Sequence, residues 1–241
     1  MKYLIIWLAI FTIGSKFTIA QSNLVPNAQF ENTLQLNCQW TTSAESFKEY
    51  LENWYIPTNT TADVHSTTLQ EYCWSNPITD RVNTNKPGYQ APHSGNTMIG
   101  IYTYVSSHYW HEYVQVRLIS TMKKNQPYHV EMWVSRADYD KYATNNLGML
   151  FSPEPISEFS GDSFRPQFNS AQVISNTNDW IQLSGTVILN EDCKYLTIGN
   201  FYSDELTIIE LTANDVIENE EANIGGAYYF IDDVIVSPIS F

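Results

Sequence analysis

The chain has 241 residues, with 26 acidic against 12 basic side chains and a formal charge of −14 at neutral pH. That excess of negative charge repels phosphate backbones and anionic lipid, which argues against nucleic acid or an acidic membrane surface as partner. Neutral sugars, cations and other proteins remain as ligand classes.

The first element in chain order is a leader. Lys2 precedes an apolar run from Leu4 to Ile13, and Thr18-Ile19-Ala20 places a small residue at a cleavage point, so residues 1–20 are expected to be a secretory signal peptide. The apolar run is too short for a comfortable membrane span, and no later stretch reaches about eighteen uninterrupted apolar residues. Residues 21–241 are expected to form one domain secreted to the periplasm, the outer surface or the medium, a size that suits a single large β sandwich.

Beyond the leader, period-two alternation recurs between Gly, Pro, Asn and Asp punctuation, and no long segment has a clean helical period. Leu24 to Glu31 reads as an opening strand. Thr97 to Tyr104 follows the turn Pro92-His93-Ser94-Gly95-Asn96. Val114, Val116 and Leu118 alternate against Tyr113, Gln115 and Arg117. Tyr128, Val130, Met132 and Val134 repeat the pattern after Lys123 to Pro127, so these two runs are expected to pair as a hairpin. Leu147 to Phe151, Trp180 to Leu189, Tyr195 to Phe201 and Ala227 to Val236 complete a set suited to two packed antiparallel sheets in an all-β sandwich. The polar segments 32–92 and 152–178 are long enough to be functional loops or to carry small helices.

An oxidising destination makes a disulfide the expected fate of two of the three cysteines. Cys38 and Cys73 flank the long polar region, where a staple is worth ~3 kcal/mol, and they are paired here. Cys193, beside an apolar run, is expected to be a buried thiol.

Three stretches carry a resemblance when taken together: Asn23-Leu24-Val25-Pro26-Asn27-Ala28-Gln29-Phe30-Glu31, Gly88-Tyr89-Gln90-Ala91-Pro92-His93-Ser94-Gly95-Asn96, and Tyr229-Phe230-Ile231-Asp232-Asp233-Val234. In order and spacing they resemble the N-terminal jelly-roll domain of Bacteroidota outer-membrane and gliding-associated secreted proteins. More distantly, the two ends resemble carbohydrate-binding modules of the galactose-binding-like fold. The resemblance implies a jelly-roll sandwich at the cell surface. It also implies a structural calcium ion held by the Glu31 and Asp232 carboxylates, with backbone oxygen from Asn27 or Ser94. The alternative is that these are hydrogen-bonded acids at strand ends.

Trp54, Tyr55, Trp74, Tyr89, Tyr104, Tyr109 and Trp110 lie in or beside loops, where rings either stack on sugars or fold down to cap the core. His108 and His111 beside Glu112 have metal-ligand spacing only on a helix, and a strand is expected there. The chain reads as a non-catalytic carbohydrate-binding module. An adhesion protein of the cell envelope would instead show an exposed apolar patch, and a carbohydrate-active hydrolase would need two carboxylates facing each other across a cleft.

Overall fold

The alternation read from the sequence is realised in full at β5 (Pro127–Arg136), where Tyr128, Val130, Met132 and Val134 are buried and the residues between them are half-exposed. The computed structural model describes residues 22–77, 88–106, 111–159, 164–212 and 225–239; the expected signal peptide lies outside them. β3 (Thr97–Val105), β4 (Val114–Met122), β7 (Leu147–Ser152), β9 (Ile181–Ile188), β10 (Cys193–Asn200) and β12 (Gly226–Pro238) fall where alternation or continuous apolar runs place them. Shorter strands complete the set: β1 (Trp54–Tyr55), β2 (Asp63–Ser66), β6 (Tyr142–Thr144), β8 (Phe168–Asn169) and β11 (Ile209–Leu211).

Two five-stranded sheets result, in the orders β1-β4-β10-β7-β8 and β2-β3-β12-β5-β9, and β11 pairs with β6 in a separate ribbon. Every pairing is antiparallel. The protein is an all-β jelly-roll sandwich. Its main core lies between the sheets, where Val116, Leu196 and Met149 of the first meet Ile99, Ile231 and Val130 of the second. The expected hairpin is corrected here: β4 pairs with β1 and β10, whereas β5 pairs with β12 and β9, so the two runs belong to opposite sheets. The Lys123 to Gln126 connection turns a corner between layers instead of closing a two-strand ladder.

The opening strand is also corrected. Residues 25–30 form turns, with Asn27 at φ 47° and Phe30 at φ 59°, both in the left-handed region that breaks an extended strand. The segment joins the layers at its start: the Leu24 amide donates to Val236 O of the second sheet (2.7 Å), and the Leu24 carbonyl accepts from the Ile119 amide of the first (2.9 Å). Segment 32–92 holds a one-turn helix α1 (Ala44–Phe47) as well as β1 and β2. The Cys38–Cys73 disulfide is present, and Cys193 is a buried thiol whose pKa burial pushes up to about 11.

At one crossing of β3 and β12 there is no room for a side chain. A Cβ added to Gly100 would lie 2.0 Å from the Tyr228 hydroxyl, which is itself fixed by bonds to Asp63 and His65. Gly100→Ala is therefore expected to overpack the site and cost about 1–3 kcal/mol, read as a lower urea midpoint with an unchanged slope. An unchanged midpoint would show that Tyr228 can move aside.

Candidate functional site

Gly199 of β10 leaves a bare patch on the outer face of the first sheet, and the ring of Tyr113, just before β4, lies on it. A Cβ at 199 would meet Tyr113 Cδ1 at 2.4 Å. The Tyr113 hydroxyl donates to Asn200 O (2.7 Å), and burial raises its pKa, which keeps it a proton donor. Phe159 stacks on Tyr113 with centroids 4.1 Å apart and planes 20° from parallel, and Phe201 packs at 5.4 Å. With Tyr202 these rings wall one side of a cavity of about 370 Å³.

Its other lining is polar: Thr58, Thr60, His111, Asp204 and Glu205. His111 is fixed at both nitrogens, Nδ1 donating to Asn200 O (3.0 Å) and Nε2 meeting Asp204 Oδ1 (2.9 Å). Asn200 is thus the pin of the site. Its carbonyl takes both His111 and Tyr113, while its side-chain amide donates to Thr103 O (3.2 Å) and Thr207 Oγ1 (3.0 Å). Flat apolar rings opposite convergent hydroxyl, imidazole and carboxylate groups recognise a molecule with an apolar face and a hydrogen-bonding edge.

Glu112, between cavity residues His111 and Tyr113, turns the other way. Extended backbone sends successive side chains to opposite faces, so His111 reaches the cavity and Glu112 the interior. Its Oε1 accepts from the Thr61 amide (3.3 Å) and hydroxyl (3.0 Å), and its Oε2 from the Tyr102 amide (2.9 Å). Asp63 nearby accepts from the Thr41 amide (2.7 Å) and the Tyr228 hydroxyl (3.0 Å). Burial pushes Glu112 up to about 7; burial and the Glu112 charge raise Asp63 well above the usual carboxylate range. With His111 and Glu112 bonded to different partners, the metal spacing noted in the sequence does not become a shared site, and His108 lies outside the described residues.

The loop aromatics named from sequence do not form one platform. Trp54 is 1% exposed, with its ring 5.1 Å from Phe30 and its indole donating to Asn27 O, and with Tyr55 it borders a second, more open concavity beside Leu34, Lys48 and Glu52. Tyr55 is half-buried and donates to Gln115 Oε1, Trp74 packs 5.3 Å from His65, and Tyr104 packs 5.3 Å from Tyr142. Tyr89 is exposed, and its amide donates to Asp138. None of these five lines the cavity. Tyr109 and Trp110 lie outside the described residues.

Of the residues named for calcium, Glu31 and Asp232 do converge on one loop. Glu31 Oε1 accepts from the Asn96 and Thr97 amides (2.8 and 2.7 Å), and Asp232 Oδ2 from the Ser94 amide (3.0 Å). Asp232 is fully buried and pushed up to about 7, first by that burial. The Asn27 carbonyl accepts from the Trp54 indole (3.0 Å) and the Phe30 amide (3.1 Å). Ser94 meets Asp232 through its amide, and its hydroxyl donates to Asp233 (2.9 Å). Among the described residues no three His, Cys, Asp or Glu side chains form a metal-holding group.

No protein-family model matches the sequence, and no curated protein aligns with it. Among solved structures, the chain is similar to the xylan-binding first family-22 module of Xyn10C from Paenibacillus barcinonensis (13% identity, 79% of this chain and 88% of that one, TM-score 0.40). It is also similar to a family-61 carbohydrate-binding module solved with β-1,4-galactotriose (11%, 90% and 99%, 0.36). A third is the K1 cleaved adhesin domain of Lys-gingipain from Porphyromonas gingivalis W83 (12%, 88% and 96%, 0.39). No residue role is carried over from any of them.

The buried acids give stability a defined pH dependence. Burial raises the folded pKa of Glu112 to about 7, above that of a solvated glutamate, so it favours the fold fully below the unfolded value, and that contribution is lost as pH rises through about 7. Asp63 acts in the same direction. The urea midpoint is expected to fall between pH 5 and 8, with Glu112 responsible for on the order of 2–3 kcal/mol. Glu112→Gln should flatten the profile; an equally steep profile in that variant would assign the dependence elsewhere.

Proposed function

We propose that the protein is a secreted, non-catalytic binding module whose ligand is a neutral carbohydrate held in the cavity on the first sheet. The observation that carries this reading is the cavity itself: the rings of Tyr113, Phe159, Phe201 and Tyr202 face Thr58, Thr60, His111, Asp204 and Glu205. A pyranose offers that combination, an apolar ring face and a belt of hydroxyls. The buried acids Asp63 and Glu112 accept from the chain's own amides and hydroxyls and do not line the cavity, which favours binding over hydrolysis. Among the described residues no helix is long and apolar enough to cross a membrane.

An envelope-protein partner is a second reading with its own observation. Leu206, Ile208 and Leu211 are 51%, 52% and 73% exposed within six positions of chain, an apolar strip of the kind that adhesion surfaces use.

The test of the carbohydrate reading is thermal unfolding and affinity electrophoresis of residues 21–241 against neutral and acidic polysaccharides. A neutral polysaccharide is expected to raise the transition by mass action. Tyr202→Ala should weaken binding about tenfold or more, since one lost ring stack of 1–1.5 kcal/mol also exposes polar neighbours, while Tyr89→Ala, outside the cavity, should leave it unchanged. Retardation by no neutral polysaccharide overturns the reading.

We further propose that the Glu31 and Asp232 carboxylates hold calcium. Support comes from their convergence on one loop and from the cost of burying Asp232, which a hard cation offsets. Calcium is expected to raise the melting temperature by several degrees over chelator, and Glu31→Gln to remove the difference. Equal melting in calcium and chelator would leave both acids as hydrogen-bond acceptors for the loop.

A further inference from the structure

The cavity has two walls that meet at a buried group outside it. One is the segment after β1, with Thr58 and Thr60; the other is the segment before β4, with His111 and Tyr113. Glu112 lies within the second wall and bonds to the first, taking both donors of Thr61, the residue next to Thr60. Its other oxygen and its own amide bond to Tyr102, the amide donating to Tyr102 O at 2.9 Å, so the clamp is anchored in β3. None of its hydrogen-bond partners is a cation. The titratable groups that feel its charge are Asp63 from β2, Tyr102 from β3 and Tyr228 from β12, the last held by His65 of β2 at 2.8 Å.

We propose that Glu112 is a proton-operated clamp on the cavity, closing its two walls on each other while it keeps its proton and letting the Thr58 to Thr61 wall move out when it is ionised. A carboxylate buried as Glu112 is, without a cation, lacks water once it is ionised. The least constrained route to hydration is the Thr61 side, because Tyr102 belongs to a nine-residue strand paired on both sides whereas Thr61 belongs to a connection between two short ones. Movement there carries Thr60 and Thr58 with it and widens the space opposite Tyr113. Ligand capture is thereby tied to pH through a residue that does not touch the ligand.

This rests on the reading of the cavity as the binding site, but its test needs no ligand, so failure to bind sugar and failure of the clamp are separable. Backbone amide resonances of the 15N-labelled mature protein are followed from pH 5 to 8.5. Thr61 and Tyr102, which report on the clamp, and Thr58, Thr60 and Tyr113, which report on the cavity, are expected to move with one shared midpoint near 7. In Glu112→Gln the amides of Thr58, Thr60 and Tyr113 should lose the transition they share with Thr61 and Tyr102. In Thr61→Val the shared midpoint should shift to higher pH, because a hydroxyl donor to the carboxylate is gone; this second variant serves if the first does not fold. Titration of Thr61 and Tyr102 without the cavity amides, or cavity titration unchanged in both variants, overturns the proposal.

Discussion

Burying Asp63 and Glu112 without a cation is the constraint around which much of this sandwich is organised. A carboxylate taken out of water must be solvated by the protein or take up a proton, and here the donors come from distant parts of the chain. Thr41 and Tyr228 serve Asp63; Thr61 and Tyr102 serve Glu112. Those bonds join the irregular N-terminal third to β3 and β12. Segment 56–62, which alternates poorly, is held by Thr61 on Glu112 as well as by the buried side chains of Ile56 and Ala62. Gly100 follows from the same demand, since the Tyr228 hydroxyl reaches Asp63 by passing over a residue without a side chain.

The cavity is a consequence on the opposite layer. Alternation through 111–113 sends Glu112 inward and its neighbours out, so the bonds that hold the acid in place also fix His111 and Tyr113. Gly199 then supplies the flat bed on which Tyr113 lies, and Asn200 collects both residues on one carbonyl. A ring held by a hydroxyl bond, a packed neighbour and a bare strand has few conformations left. A ligand stacking near it spends little on ordering the site, which is the advantage of a preorganised aromatic wall.

The parts of this arrangement that could be read from sequence are those with a local signature. β5 was legible because only one of its faces is apolar, and β12 because its apolar run is long. β2 was not: Asp63-Val64-His65-Ser66 is buried at all four positions, covered on its outer side by the disulfide-linked segment, so no alternation survives. The hairpin expected between β4 and β5 failed because short sequence separation does not fix which sheet a strand joins. The burial of Trp54 was not legible because β1 is two residues long, too short to show which side faces the core. The cavity draws on four separated stretches, and only Gly199 beside Asn200-Phe201-Tyr202 hinted at it, a small residue preparing a place for a ring.

Charge narrows what the cavity can take. The chain carries −14 overall, and Asp204 and Glu205 sit in the lining itself. A polyanion entering there meets repulsion that grows as the cavity excludes water, because the effective dielectric falls. Arg165, 4.9 Å over the Tyr202 ring, places one cation beside the wall, yet its position over the ring face makes it a partner of the aromatic system first. A neutral sugar avoids the repulsion and can use both carboxylates as acceptors for its hydroxyls. Its affinity should then depend little on salt, because the attraction comes from stacking and short hydrogen bonds and not from a long-range field.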